Sequence, residues 1–171
     1  MGLCDTVDDF DRFYAENYEP MVRSLTIAFR DRAAAEDAAQ VGFEKALLRW
    51  RRISSFERPA TWVYVVAVRS GRSQLARDRR GGNGACWGPN PIPQDAVVSM
   101  LWLQDAIDRL PPRQRTVVVL RHLADLSLQD IARALHLSLG TVKSTLHTAH
   151  RRLQVDLSDR PDEERRSNDA R

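Results

Sequence analysis

The chain has 171 residues, 43% of them hydrophobic, and a net charge of +3, which leaves room for one domain or two small ones. No apolar run approaches the ~20 residues of a bilayer-spanning helix, which argues against a membrane protein. Cys4 and Cys86 are too few and too far apart for a disulfide framework or a zinc site. The acidic N-terminus carries no signal-peptide pattern, so we expect a soluble, cytoplasmic protein.

Hydrophobic periodicity predicts four helices in residues 1–80. The first carries an aromatic stripe that starts at Phe10, and the second begins at Pro20, a residue that suits the first turn of a helix. Asp31 is expected to cap the third helix, and residues 51–61 are predicted to form a loop before a fourth helix over 60–79. The apolar stripe of the third helix consists of Ala39, Phe43, Ala46, Leu47 and Trp50.

Charge is distributed unevenly along the chain. Residues 1–19 hold six acids and one arginine, whereas residues 69–80 hold five arginines and one aspartate. Residues 139–153 hold three cations and no acid. Two separate cationic surfaces suit a polyanion that is contacted at two places. Either segment alone could also be an ordinary solvated charge run.

A break in composition separates two helical halves. Residues 81–95, GGNGACWGPNPIPQD, contain four glycines and three prolines and are predicted to be a flexible linker. A helix over 97–110 follows, then a break at Pro111 and Pro112, then a helix over about 113–123. Residues 158–171 are almost free of apolar side chains and are predicted to be a disordered tail. The predicted fold class is all-α, with two small helical domains joined by a flexible linker.

Residues 127–153, SLQDIARALHLSLGTVKSTLHTAHRRL, have the pattern of two short amphipathic helices joined by a tight turn. Ser127, followed three positions later by Asp130, resembles a capping box, and Ser138 is a good cap for the second helix. His136 occupies the turn, and histidine tolerates a left-handed backbone better than most residues. The second domain is therefore predicted to end in a helix-turn-helix.

The second helix of this pair has two contrasting faces. Its apolar positions recur at helical spacing and are Val142, Leu146, Ala149 and Leu153. Its opposite face is small, polar and cationic and consists of Gly140, Ser144, His147, Thr148 and Arg151, flanked by Lys143 and Arg152. Such a stripe, on a helix supported by a shorter one, is typical of a protein that reads a DNA major groove. The alternative is a plain helical hairpin with a solvated basic face.

These features together resemble the extracytoplasmic-function sigma factors of bacterial RNA polymerase, in the SigE-like subgroup of the sigma-70 superfamily. The resemblance is carried by LPPRQRTVVVLRHLADLSLQDIARALHLSLGTVKS at 110–144, by AAAEDAAQVGFEKAL at 33–47, and by PATWVYVV with the arginine-rich segment after it. It implies a region 2-like domain over 1–80, a linker over 81–96, a region 4-like domain over 97–157 and a tail over 158–171.

The resemblance implies that the chain binds core RNA polymerase, through the beta-prime clamp and the beta flap, and promoter DNA. It also allows for an anti-sigma protein as a further partner. It implies no cofactor, no metal, no catalytic residue and no membrane contact. The family's action is to direct promoter recognition, promoter opening and transcription initiation.

Three sets of site residues follow from the resemblance. The set for the minus-thirty-five promoter element is Ser138, Gly140, Thr141, Lys143, Ser144, Thr145, His147, Thr148, Arg151 and Arg152. The set for the minus-ten element is Phe56, Trp62, Tyr64, Arg69, Arg72, Ser73, Arg77, Arg79 and Arg80. The set for core polymerase is Asp37, Gln40, Phe43, Glu44 and Leu47.

Residue chemistry supports these sets independently. Asp37, Gln40 and Glu44 share one side of the third helix and form a polar ridge suited to docking on another protein. Promoter opening requires aromatic or pocket surfaces beside cationic backbone contacts, and both kinds of residue occur between Phe56 and Arg80. Trp62 and Tyr64 fall on different helix faces, and we expect Trp62 to be the one that packs inside.

The sequence departs from the family pattern at several positions. Arg69 stands where the family usually has asparagine, and Thr145 and Thr148 stand where it often has arginines. The missing cations should weaken the salt dependence of DNA binding. The slope of log affinity against log salt concentration should decrease by about one for each lost phosphate contact.

Two alternatives belong to other classes of function. A transcription regulator that does not target polymerase would have a similar helix-turn-helix, usually joined to a sensor or receiver domain. An enzyme is disfavoured, because the four histidines have no partner cysteine or carboxylate at a metal-binding spacing and GGNG follows no strand.

Overall fold

The computed structural model describes residues 3–80 and 101–158. The first stretch forms α1 (Leu3–Phe29), α2 (Arg32–Leu47), α3 (Trp50–Ile53) and α4 (Pro59–Arg80), and the second forms α5 (Leu101–Arg109), α6 (Pro112–His122), α7 (Leu128–Leu135) and α8 (Leu139–Ser158). These two stretches contain no strand, so the all-α prediction is confirmed. The predicted linker over 81–96 and residues 159–171 of the predicted tail lie outside the described residues.

No helix within the described stretches is long and apolar enough to cross a membrane.

The break that the sequence predicts at Pro20 is wrong, because α1 continues through it. A proline inside a helix costs roughly 3 kcal/mol, since it removes one backbone hydrogen bond and crowds the preceding turn. The apolar side chains on both sides of it fall on one continuous face, from Phe10 through Met21 and Leu25 to Phe29, and all four are buried. Each such side chain contributes roughly 1.5–3 kcal/mol on burial, so packing of the face outweighs the cost of the proline.

The third predicted helix is confirmed as α2, and its predicted cap is present. Asp31 accepts a hydrogen bond from the amide N–H of Ala34 at 2.9 Å. The apolar stripe continues beyond the end of α2 to Trp50, which begins the separate short helix α3 (Trp50–Ile53), so the first residues of the predicted loop over 51–61 are helical. The ring of Trp50 packs edge-on against Phe10 at 5.1 Å, which holds α3 against α1. Leu47 is the exception in the stripe, because it is 51% exposed.

Helix α4 packs directly on α2, and two glycines set how closely the helices approach. A Cβ atom on Gly42 of α2 would lie 3.1 Å from the carbonyl oxygen of Val63 on α4. A Cβ atom on Gly71 of α4 would lie 2.5 Å from the ring of Phe29 and 3.1 Å from the Cβ of Ala38. The two glycines therefore allow the backbones of α2 and α4 to come into direct contact with side chains of the neighbouring helices.

The two described halves also pack against each other, α1 against α6 and α4 against α7. Buried side chains of both halves belong to one hydrophobic cluster, which includes Leu25 and Val68 from the first half and Leu120 and Ile131 from the second. A smaller cluster of Leu110, Val118 and Ala149 lies within the second half.

We predict that Gly71→Ala destabilises the chain by about 1–3 kcal/mol, the usual cost of overpacking a tight core. The added methyl group would have to displace the buried ring of Phe29. Urea unfolding followed by circular dichroism measures the change. Gly140→Ala in α8 is the matched control, because its Cβ would meet no atom closer than 3.8 Å. Equal midpoints for the two variants would show that the close packing around Gly71 is not needed.

Candidate nucleic-acid interface

Local hydrogen bonds build the helix-turn-helix as the sequence predicts. Ser127 caps α7 by accepting from the amide N–H of Asp130 at 3.1 Å, and Ser138 accepts from the amide N–H of Thr141 at 3.1 Å. His136 has the left-handed backbone expected of it, with φ of 53°. The amide of Leu137 reaches back to the carbonyl of Ala132 at 2.9 Å, which closes the end of α7 as a Schellman-type turn.

Helix α8 buries the apolar face that its periodicity predicts. Val142 and Ala149 have no exposed surface, and Leu146 and Leu153 pack against the buried clusters. Because one side of α8 is fixed in this way, the opposite side must face outward. The predicted face is exposed there, at Gly140, Lys143, Ser144, His147, Thr148, Arg151, Arg152 and the cap Ser138, whereas Thr141 and Thr145 are half-buried.

The hydroxyl groups on this face already donate to their own helix. Ser144 donates to the carbonyl of Thr141 at 3.1 Å, and Thr148 donates to the carbonyl of Ser144 at 2.9 Å. With their protons used in this way, the oxygens are left to accept hydrogen bonds, for example from the exocyclic amines of bases. The cations Lys143, Arg151 and Arg152 supply donors for phosphate oxygens.

The aromatic residues predicted for the minus-ten element differ in exposure. Phe56 is 37% exposed and Trp62 is half-buried. Tyr64 is buried, and its hydroxyl lies 2.9 Å from the Oγ of Ser24, so the expectation that Trp62 rather than Tyr64 packs inside is wrong. Burial raises the pKa of Tyr64. The partner serine on α1 explains the choice, because a buried phenol needs a hydrogen bond and this one is available.

The arginines of α4 fall into two groups. Arg69 donates to the carbonyl oxygen of Arg133 at 2.9 Å and Arg72 to that of Leu135 at 2.8 Å, both at the end of α7. Ser73 and Arg77 are exposed, and Arg77 donates to the side-chain oxygen of Gln74 at 2.6 Å. Arg79 and Arg80 end the helix, but their side chains lie outside the described residues.

The polar ridge predicted on α2 is present. Asp37, Gln40 and Glu44 are exposed along one side, and the amide of Gln40 donates to Glu44 at 3.1 Å. Phe43 is buried at 2% exposure and is a core residue, so in this structure it cannot present its ring to a partner. Leu48, which sequence analysis missed, is 84% exposed beside Leu47. Two successive leucines at a helix end are a usable signal, because they project from different sides of the helix and at most one of them can join the buried stripe.

A histidine pair was also missed, because its members lie on different helices. The Nε2 atoms of His122 on α6 and His150 on α8 are 3.0 Å apart, which requires one ring to donate and the other to accept. Burial, together with His150 and Arg121, lowers the pKa of His122. No group of three or more metal-ligating side chains occurs within residues 3–80 and 101–158.

We predict that His122→Gln weakens the pH dependence of the free energy of unfolding between pH 7.5 and pH 5. The pKa of His122 is lowered in the folded state, so the unfolded chain binds a proton first as the pH falls through about 6.5. The stability is therefore complete above that pH and decreases as the pH falls towards the folded pKa. Urea titrations at several pH values measure this, with His147→Gln on the exposed face of α8 as control. If the free energy of unfolding changed with pH equally in wild type and His122→Gln, the contribution assigned to His122 would be contradicted.

Comparison with known proteins identifies both halves. Residues 14–81 match the Sigma-70 region 2 family, and residues 100–153 match the Sigma-70, region 4 family. The match of the first half to a sigma region leaves no support for the alternative of a regulator with a sensor domain.

Whole-chain relatives agree with the matches to the two regions. The RNA polymerase sigma-E factor of Streptomyces antibioticus is 51% identical over 156 residues, which cover 89% of this chain and 86% of the relative. The ECF RNA polymerase sigma factor SigW of Bacillus subtilis is 29% identical over 142 residues, 73% of this chain and 76% of the relative.

A solved structure shares the fold. It is that of the sigma factor RpoE in complex with the anti-sigma factor NepR from Bartonella quintana, with a TM-score of 0.66 at 23% identity over 89% of this chain and 99% of that one. The helix-turn-helix, the region matches and the 51% identical relative lead to one conclusion. The chain belongs to the sigma-70 family of RNA polymerase sigma factors, in its extracytoplasmic-function group.

Proposed function

We propose that this sigma factor contacts the minus-thirty-five element of its promoters through the exposed face of α8. The observation that carries the proposal is that residues 139–153 present a face without acids, fixed from behind by Val142 and Ala149. An α-helix fits the major groove, and Gly140 and Ser144 near its start are small enough for close approach to base edges. The phosphate contacts fall to Lys143, Arg151 and Arg152.

For the minus-ten element we propose a surface made of Phe56, Trp62 and the arginines of α4. Unpaired bases stack on aromatic rings while cations hold the backbone; Phe56 is 37% exposed, and Trp62 is half-buried and packs partly against the core. The cations are Arg69, Arg72, Arg77, Arg79 and Arg80, with Ser73 as a polar neighbour. Tyr64 supports this surface from inside, through its contact with Ser24, and does not touch DNA.

For core polymerase we propose the ridge of Asp37, Gln40 and Glu44 as the docking surface for the beta-prime clamp. Leu47 and Leu48 continue it with apolar area, since both are more than half exposed. Interfaces commonly combine apolar side chains with a polar rim, and this face of α2 has both. We assign Phe43 to the support of this face rather than to contact.

The domain limits that we propose are 1–80 for region 2, 81–96 for the linker, 97–157 for region 4 and 158–171 for the tail. Region 4 would also meet the beta flap of polymerase. The chain would act in the cytoplasm by binding alone, without catalysis or cofactor.

An anti-sigma protein is a further proposed partner, because the RpoE that shares the fold was solved in complex with one, NepR.

Transcription in vitro tests the function as a whole. Purified chain and core RNA polymerase are incubated with a pool of genomic fragments, and the transcript starts are mapped. We expect initiation at defined positions that share two upstream sequence elements, and none with core polymerase alone. Initiation that requires a second sigma factor, or starts without a shared upstream element, would contradict the proposal.

We predict that Lys143→Ala and Arg151→Ala each weaken binding to upstream promoter duplex. Each lost phosphate contact should reduce the slope of log affinity against log salt by about 0.9. Thr148→Arg should have the opposite effect, because it adds a cation to the same face. Fluorescence anisotropy at several salt concentrations measures both, with Arg51→Ala on α3 as control. Unchanged affinity in both alanine variants would contradict the proposal that α8 binds in the major groove.

We predict that Asp37→Arg lowers binding to core polymerase about tenfold or more, since placing like charges against a complementary surface costs several kcal/mol. The residue is exposed, so its circular dichroism spectrum and unfolding midpoint should match wild type. Pull-down with core polymerase measures the effect. Asp11→Arg, at an exposed position of α1, makes the same change in charge and is the control. Equal recovery of the two variants would contradict the assignment of α2.

A further inference from the structure

A pair of histidine side chains connects two helices of the second half. His122 is the last residue of α6, and its Nε2 atom lies 3.0 Å from the Nε2 atom of His150 on α8. The ring centroids are 5.2 Å apart, so the imidazoles meet at their Nε2 edges and do not stack. Two nitrogen atoms of the same kind therefore face each other between α6 and α8.

Buried packing behind the pair fixes the backbone positions of both histidines. His122 lies one turn after Val118 on α6, and His150 directly follows Ala149 on α8. Val118 is 4% exposed and Ala149 has no exposed surface, and both belong to the small hydrophobic cluster of the second half. Because the two helices already hold the rings close together, a ligand that binds both nitrogens has little ordering cost to overcome.

Solvent reaches this pair, and the nearest cation points elsewhere. His122 is exposed and His150 is half-buried. Arg121 donates to the carbonyl oxygen of Leu126 at 3.1 Å and lies 3.7 Å from the carboxylate of Asp125. The charge of this arginine is thus partly balanced away from the imidazoles, and a hydrated ion can approach their Nε2 atoms.

The spacing of the two nitrogens suits one class of ion. Imidazole is a common ligand of copper, nickel and zinc, with metal–nitrogen bonds of about 2.0–2.1 Å. With such bonds, two nitrogens 3.0 Å apart subtend an angle of about 90–100° at the ion. That angle fits the tetragonal geometry of Cu²⁺ and Ni²⁺, whereas tetrahedral Zn²⁺ would need the nitrogens about 3.3–3.4 Å apart.

We propose that His122 and His150 form a binding site for a divalent transition-metal ion of the copper and nickel class, which ties α8 to α6. Each ring binds through Nε2 and carries its single proton on Nδ1. The proton that now lies between the nitrogens moves to Nδ1 of its own ring, so none is released. Water completes the coordination on the exposed side.

This site goes beyond the proposed function and does not depend on it. Helix α8 carries the exposed face proposed for promoter duplex, and the ion would hold that helix on its support. An ion that binds the folded chain and not the unfolded one also stabilises the fold. The ion would thus strengthen the helix-turn-helix domain without contacting DNA.

Calorimetric titration of the untagged full chain with Ni²⁺ tests the site. His122→Gln and His150→Gln each remove one ligand and keep a polar side chain. His136→Asn is the matched control, because it removes an exposed histidine from the turn before α8 and asparagine tolerates the left-handed backbone there. We expect wild type and control to bind one Ni²⁺ roughly ten- to hundredfold more tightly than either glutamine variant, since two linked ligands act together.

Urea unfolding with and without Ni²⁺ gives a second measurement. The ion should raise the midpoint of wild type and of His136→Asn, and should leave the midpoints of the two glutamine variants nearly unchanged. Equal Ni²⁺ affinity in all four proteins, or an equal rise of all four midpoints, would overturn the site. Tighter binding of Zn²⁺ than of Ni²⁺ would overturn the assigned class of ion. Circular dichroism checks the helices of each variant, and if His122→Gln fails to fold, His150→Gln decides the question alone.

Discussion

The close approach of α4 to its neighbours is the constraint on which the rest of the structure depends. Helix α4 packs against α2 and also against α7, so it connects the core of the first half to the helix-turn-helix. The approach is possible because Gly42 and Gly71 have no Cβ atom, and a Cβ atom at either position would lie within 3.0 Å of a side chain on a neighbouring helix. Helices that pack through such small residues fix one another's rotation, since a turn of either would bring a larger side chain into the contact.

That fixed rotation decides what each side of α4 presents. Val63, Ala67 and Val68 face the core with no exposed surface, and the hydroxyl of Tyr64 is held at Ser24. The arginines are left to the outer side, where Arg69 and Arg72 reach α7. The same helix therefore sets the spacing of the proposed minus-ten surface and its contact with region 4.

Local chemistry was predictable from the sequence, because it depends on neighbours along the chain. The caps at Asp31, Ser127 and Ser138 and the left-handed His136 involve partners within four residues. The amphipathic faces of α7 and α8 were predictable for the same reason. The exposed face of α8 was predictable because it needs only periodicity and the absence of acids, although Thr141 and Thr145 of the predicted set are half-buried.

Features set by tertiary packing were not predictable in this way. The path of α1 through Pro20 depends on a face that is buried by other helices. The choice between Trp62 and Tyr64 was decided by Ser24, forty residues away from the tyrosine, and His122 meets His150 across 28 residues. The contact between the halves is of this kind too, because charge counts reveal arginines but not the carbonyl oxygens that they reach.

Two residues that form ion pairs between the halves have an unusual backbone: one pairs with Asp108 at 3.8 Å and the other with Arg58 at 2.9 Å. Arg30 and Asp125 have φ angles of 58° and 47°, a conformation that favours glycine and costs other residues roughly 1 kcal/mol or more. Glycine at either position would relax the turn and strengthen its own half, but it would remove a side chain that reaches across to the other. Mutational drift towards local stability would thus loosen the association of the halves, so stability of each half and cohesion between them are opposed at these two positions.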